Sequence, residues 1–318
     1  MGRSPAAVHA DRVIKAITGG DPACSALAAS WRRSGRLHAL DPASVAPSLR
    51  LPRAEVAAVR ERLGRLLGVA QPSLDRLIAA VGGVGCSVLL ADRDGVVVER
   101  RGAPCDDTTF ENWGLWTGAV WSEKFEGTNG IGTCLFEQRA VTIDREQHFY
   151  ARNALLTCTT APIYDERGEL AAALDISSCR ADLTEGFARL IATAVSDAAR
   201  AIESENFRLA FPQARILLAP AGERAGPALL AVDRHDLVVG ATRAARLALG
   251  VSARTLAMPA ADVMGQSLSG GDDIDAAERA VLQRALARAG GKVSRAAKHL
   301  NLSRATLHRK IKQLGLDH

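Results

Sequence analysis

Seven lysines and arginines fall between Lys292 and Lys312, and their spacing is the part of this chain best suited to do chemistry. Arg304, Arg309, Lys310 and Lys312 crowd one short segment, with Thr306 and His308 among them and Lys292 and Arg295 upstream. Cations repeated at helical spacing neutralise a polyanion, and the major groove of duplex DNA admits a helix that carries them. Charge is distributed to match. Residues 275–318 hold ten Lys and Arg against three Asp and Glu, a net of +7, whereas the whole chain carries only +5. The preceding 274 residues therefore net −2 (+5 less +7). A bare run of charge more often marks a solvated helix face. What decides between the two is whether the surrounding residues build a frame for the cations.

They do. Ile274, Ala277, Val281, Leu282, Ala285, Leu286 and Ala289 repeat at helical spacing and predict a helix that stops at Gly290. Ala296, Ala297 and Leu300 give the inner face of a second, short helix over 294–300. Asn301 to Ser303 form the turn, with Ser303 as an N-cap. A third helix over 304–314 turns Leu307, Ile311 and Leu314 inward. That leaves Thr306, His308, Arg309 and Lys312 on its outer arc, with Arg304 and Lys310 at the flanks. A basic helix that follows a helix and a tight turn is a helix-turn-helix. Residues early in such a helix reach base edges, so Arg304, Thr306 and His308, beside the capping Ser303, are the base-contact candidates. Arg309, Lys310 and Lys312, with Lys292 and Arg295, suit phosphate. The first helix carries a wider apolar stripe than one short hairpin can cover, which predicts a homodimer on a two-fold DNA site.

A second concentration is aromatic. Trp113, Trp116, Trp121 and Phe125 lie within thirteen residues of a chain with only 4% aromatics. They suit either a small-molecule pocket or the filling of a core. His148, Phe149, Tyr150 and Cys158 follow. His148 suits a ligand, haem or iron, but a single histidine without partners at ligand spacing is more often structural. Asn129, inside GTNGIGT, suits a turn of positive φ. The six cysteines form no CxxC pair, and apolar surroundings argue against a reactive Cys134 or Cys158. No metal cluster, paired carboxylates or nucleophile–base pair is legible, so an enzyme is not expected and no cofactor is assigned. No run is long enough to span a membrane and no signal peptide is evident, which predicts a cytoplasmic protein.

The elements ahead of the basic tail are strands and helices in alternation. Val56, Val59, Leu63, Leu66 and Leu67 give one helical face, with Pro52 near the start of that helix and Pro72 near the start of the next. Cys86 to Arg100 reads as a hairpin turning at Asp92 to Gly95. Strands follow at 140–144 and across 156–178, the latter turning at Glu166, Arg167 and Gly168. A helix over 183–207 has Phe187, Leu190, Ile191, Ala194, Val195 and Ala198 as its stripe. Residues 228–250 again read strand, turn, strand, helix. This is an α+β arrangement.

EGTNGIGTCLFEQRAVTIDREQHF, followed by CTTAPIYDERGELAAALDIS, resembles the GAF domain of acetoin-catabolism-type transcriptional regulators, and SWRRSG upstream fits the same group. The basic tail resembles the Fis-type domain that ends those regulators. The resemblance implies a sensor with an antiparallel sheet and a small-molecule pocket on one face. It also implies a sigma-54-type ATPase between the two parts. That engine needs GxxxxGK[ST] to wrap phosphate, and no such motif occurs in the sequence. The expected organisation is an N-terminal helical segment (1–75), a GAF sensor (76–207), a reduced PAS-like segment or linker (208–270) bounded by SGGDDID, and an all-α Fis-type domain (271–318). The expected function is a regulator in which an unidentified small-molecule effector modulates binding to double-stranded DNA without ATP hydrolysis. RNA polymerase is a further candidate partner. The alternatives are a nucleoid-type architectural protein with an inert sensor, and an enzyme on the GAF fold.

Overall fold

The computed structural model describes residues 4–19, 25–81, 85–182, 184–220, 226–253, 255–265 and 274–316. The SGGDDID boundary and Cys24 lie largely or wholly outside them. Two compact units, Met1–Val263 and Met264–His318, divide the chain.

The first unit opens with four helices, α1 (Pro5–Thr18), α2 (Ala26–Arg32), α3 (Arg53–Leu63) and α4 (Arg65–Val81). The break between α3 and α4 falls at Gly64, whose φ of +49° suits glycine, and α4 then runs through Pro72. Pro72 is thus inside a helix and not near its start. The residue four positions earlier, where a proline ring crowds the turn, is Gly68.

Strands β1 (Cys86–Asp92), β2 (Val97–Gly102), β3 (Val141–Asp144), β4 (Thr157–Tyr164) and β5 (Leu170–Ser178) form one antiparallel sheet in the order β2-β1-β5-β4-β3. Asp92 sets the first turn by accepting the amides of Asp94 and Val96, with Gly95 at φ +83°. Because side chains alternate along a strand, each strand feeds two cores. Val88, Leu90, Ile163, Leu174 and Ile176 face α4 and the long helix α8 (Glu185–Ala210), meeting Leu74, Leu77, Ile191, Val195 and Ile202. Leu190 does not join them. It is 67% exposed, and the buried stripe continues instead through Ala199 and Ile202.

The opposite face presents Leu89, Ala91, Cys158 and Ala173 to Phe110 of α5 (Asp107–Asn112), to Leu115 and Trp121 in the segment between α5 and α6 (Glu123–Glu126), and to Ile131 of α7 (Gly130–Glu137). Asn129 is extended (φ −153°), caps α7 by accepting the Gly132 amide at 2.8 Å, and donates to the Gly127 carbonyl. The positive φ in this stretch belongs to Gly127, at +60°.

After α8 come β6 (Arg215–Leu218), β7 (Leu229–Val232) and β8 (Val238–Ala241), a second antiparallel sheet in that order, followed by α9 (Arg243–Leu249) and α10 (Ala260–Val263). Phe207 and Phe211 pack with Leu229, Ala231 and Ile216, so the end of α8 and this small sheet share a core.

Among its described residues the second unit is three helices, α11 (Ile274–Arg288), α12 (Val293–His299) and α13 (Arg304–Gln313), around Leu282, Leu286, Ala296, Leu307 and Ile311. Gly290 and Gly291 follow α11 at φ +60° and +76°, and the Gly291 amide returns to the Leu286 carbonyl at 3.0 Å. Among the described residues, no helix is long and apolar enough to cross a membrane.

Candidate nucleic-acid interface and candidate sensor face

Helix α13 is positioned from both ends. Ser303 caps it, accepting the Thr306 amide at 3.0 Å, and its hydroxyl also meets that of Thr306 at 2.8 Å. Asn301 makes the turn before it at φ +52°. Leu307, Ile311 and Leu314 are buried, and Arg279 of α11 donates to the Leu314 carbonyl at 3.1 Å. The rotation of α13 is thereby set. Arg304, His308, Arg309 and Lys312 are exposed, Thr306 and Lys310 are half-buried, and Lys292 and Arg295 are exposed on and just before α12. Lys310 is engaged inside the unit by an ion pair with Glu278 of α11. On α11 the expected stripe divides. Leu282, Ala285, Leu286 and Ala289 are buried, but Ile274 is 81% and Val281 43% exposed, with Ala277 exposed as well.

In the first unit the aromatic and histidine candidates separate into distinct places. Trp121 is core, its Nε1 donating to the Gly114 carbonyl at 2.7 Å. Trp113 meets Phe110 edge to face with centroids 6.1 Å apart. Trp116 lies against the Arg100 guanidinium, whose carbon is 4.4 Å from the ring centroid. Phe125 is 41% exposed. Phe149 and Tyr150 pack with Val13 of α1 and Trp31 of α2. His148 beside them is fully buried. Its Nδ1 donates to the Arg145 carbonyl at 2.9 Å and its Nε2 has no partner among the described residues; burial pushes its pKa down to about 4. Cys158 lies under α7, 3.1 Å from the Ser177 hydroxyl. Burial raises both the Cys134 and Cys158 thiols, as their apolar setting suggests. Among the described residues no group of three or more His, Cys, Asp or Glu side chains is placed to hold a metal.

Several polar groups on the inner sheet face went unread in the sequence. Asp175 on β5 is fully buried; it accepts from Thr160 at 2.5 Å and from Ser177 at 2.7 Å, and burial pushes its pKa up to about 6. A lone acid inside the apolar run AAALDIS was the available signal. Gly130 lets α7 sit directly on this row, since a Cβ there would come within 2.6 Å of both Cys158 and Thr160. Further out, Arg100 of β2 donates to Ser87 at 3.0 Å and to Asp107 at 2.6 Å. At the seam with α2, buried Glu123 accepts from Arg33, Ser30 and Thr133. Arg33 rises above its ordinary value because its contacts with Glu123 and Glu137 outweigh the opposing effect of burial.

Comparison with known proteins adds the following. Residues 10–202 match the family model for the MimR N-terminal domain, and residues 274–314 match that of bacterial regulatory proteins of the Fis family. The acetoin catabolism regulatory protein of Cupriavidus necator is 34% identical over 267 residues, which is 83% of this chain and 38% of that protein. The acetoin dehydrogenase operon transcriptional activator AcoR of Bacillus subtilis is 32% identical over 54% of this chain and 28% of its own length. The propane 2-monooxygenase operon transcriptional activator MimR of Mycolicibacterium smegmatis is 32% identical over 45% of this chain and 23% of its own. The chain thus spans less than two fifths of these curated relatives. A chain in the crystal structure of the E. coli DhaR(N)–DhaL complex superposes with a TM-score of 0.51 at 14% identity, over 74% of this chain and 80% of that one, a likeness of fold.

Proposed function

The chain belongs to the family of transcriptional regulators that carry a MimR N-terminal domain and a Fis-type helix-turn-helix, and from that premise we propose an effector-responsive DNA-binding regulator that works without an ATPase of its own. The observation that carries the proposal is α13. A capped, rotationally set helix holds its apolar side inward and keeps Arg304, His308, Arg309 and Lys312 exposed. Arg304, Thr306 and His308, near its N-terminus, are assigned to base edges, and Arg309 and Lys312, with Lys292 and Arg295, to phosphate. Ser303 serves through the cap. Lys310 must leave Glu278 before it can serve.

The active form is a homodimer. Exposed Ile274, Ala277 and Val281 on α11 support that reading, because pairing would cover them and present two copies of α13 to a two-fold site. Residues 76–207 are the sensor. Its inner face, where a buried polar row lies under α5 to α7, is where an effector would act. Residues 208–270 are a reduced PAS-like segment or linker, a reading supported by the small sheet of β6, β7 and β8 with α9 and α10, and RNA polymerase is a further partner. Without a phosphate loop the purified chain should hydrolyse no ATP, with or without DNA.

Footprinting on promoter fragments, with and without candidate metabolites, tests the proposal. Discrete protected sites whose dissociation constant shifts about 5- to 150-fold with one small molecule are expected. Broad, sequence-tolerant coating that ignores every metabolite would favour an architectural DNA-binding protein instead. Turnover of a metabolite by the chain would favour the enzyme reading.

A further inference from the structure

We propose that the first unit reads a small monocarboxylate through Arg100, and that Asp107 holds the place of that anion when it is absent. This rests on the effector-responsive reading above and names the class of effector. Arg100 stands on β2 opposite Leu89, a register position on the inner face. Its side chain is only 9% exposed. The guanidinium carbon lies 4.4 Å from the Trp116 centroid and 5.5 Å from that of Phe110. Nε donates to Ser87 and Nη1 to Asp107, while Nη2 is buried with no acceptor among the described residues. Residue 102 is glycine, and the guanidinium packs directly against it; a Cβ there would collide with Nη2.

A buried donor left unsatisfied on a nearly buried guanidinium is costly, even where the ion stacks on two aromatic rings. The outer edge of an arginine, Nη1 with Nη2, matches the two oxygens of a carboxylate. Asp107 uses only one of those two nitrogens, and it is already 42% exposed at the start of α5. A ligand carboxylate on both nitrogens would satisfy the orphan donor and release Asp107 to water. The exchange is anion for anion, so no uncompensated charge is buried. A single cation balances a single negative charge, which favours a carboxylate over a phosphate dianion.

The test is side-chain NMR of arginine Nε–H groups in the full chain, titrated with pyruvate, propionate and benzoate. The neutral controls are propionamide, benzamide and acetoin. Binding to a labelled DNA site is followed in parallel. The carboxylates should shift the Arg100 signal, identified by its loss in Arg100→Lys, and the neutral compounds should not. Arg100→Lys keeps the charge but loses the fork, and should weaken carboxylate binding at least about tenfold. Asp107→Asn removes the placeholder and should tighten it several-fold; this variant alters an exposed group and serves even if Arg100→Lys does not fold. Unchanged affinity in both variants, or no carboxylate binding to either wild type or Asp107→Asn, makes Arg100 a structural residue and overturns the proposal. If acetoin shifts DNA affinity and the carboxylates do nothing, the anion assignment falls while the effector-responsive reading stands. If carboxylates bind at Arg100 without moving DNA affinity, the site stands and the coupling falls.

Discussion

Lys312→Ala should flatten the salt dependence of DNA binding by about one unit, and Lys310→Ala by much less. Each phosphate neutralised on duplex DNA contributes about −0.9 to the slope of log K against log salt. Between about 50 and 200 mM salt, one contact therefore costs about 0.5 log units, or roughly 3.5-fold in affinity. Lys312 lies exposed on the outer arc of α13 and should carry one such contact. Lys310, one residue before the buried Ile311, is ion-paired with Glu278, so its charge is already engaged. Removing it should cost the unit no more than about 1 kcal/mol of stability and leave the slope nearly intact. Arg304→Ala differs in kind: it should lose about 1–3 kcal/mol on the selected site and much less on scrambled DNA. The measurement is anisotropy of two labelled duplexes, one obtained by selection with the purified chain and one scrambled, at four salt concentrations. Equal slope changes for Lys310→Ala and Lys312→Ala would refute the orientation assigned to α13. Equal losses on both duplexes would remove Arg304 from the base-reading set.

Ile274→Glu with Val281→Glu should turn the second unit's association from dimer to monomer without unfolding it, because both side chains lie outside its core; sedimentation velocity with and without DNA checks this, and an unchanged dimer would place the interface elsewhere. Gly130→Ala should destabilise the first unit by about 1–3 kcal/mol, since the added methyl meets Cys158 and Thr160 at 2.6 Å beneath α7; a melting temperature equal to wild type would show that α7 is free to lift. The pH profile follows from opposed buried groups. Asp175, raised to about 6, favours the folded state below pH about 4 and loses on the order of 3 kcal/mol of that support as pH rises from about 4 to about 6. Glu203, raised by burial to about 7, acts in the same sense over a slightly higher range. His148, lowered to about 4, contributes fully above pH about 6.5 and loses its support as pH falls toward 4. The contributions oppose, so Asp175→Asn should make acid destabilisation steeper than in wild type; denaturation followed by tryptophan fluorescence from pH 4.5 to 7.5 decides, and parallel profiles would refute the assignment.

The fold was legible wherever one physical rule governed a stretch by itself. The Asp92–Gly95 turn, the cap at Ser303 and the inward triad Leu307, Ile311 and Leu314 are local features, and each lies where its sequence signal put it. Errors arose where tertiary context overrode a local rule. Pro72 suggested a helix start, but the break belongs to Gly64. Leu190 suits an amphipathic stripe by spacing, yet the sheet beneath α8 covers the helix mainly from Ile191 onward. On α11, spacing alone does not tell which apolar residues meet α12 and α13 and which remain outside.

The sensor was harder to read because proximity in sequence is not proximity on a sheet face. The aromatic run from Trp113 to Phe125 winds through a loop and α6, so neighbours in the chain diverge into core, rim and solvent. His148, Phe149 and Tyr150 turn toward α1 and α2 and away from the other aromatics. Residues that do meet come from separate strands: Ser87 opposes Gly102 and Ser177 in register, while Arg100 opposes Leu89 and so shares its face. Strand alternation carries part of this information. Arg100 and Asp175 each occupy an inward position, where a charge must find partners or shift its proton affinity. The two have met that demand differently. Asp175 is satisfied by Thr160 and Ser177 and holds its proton more tightly, which is what a structural acid does. Arg100 cannot give up its charge, has one nitrogen unanswered among the described residues, and leans on a half-exposed carboxylate that solvent can take back. Of the two buried charges, it is therefore Arg100 that is built to accept something from outside.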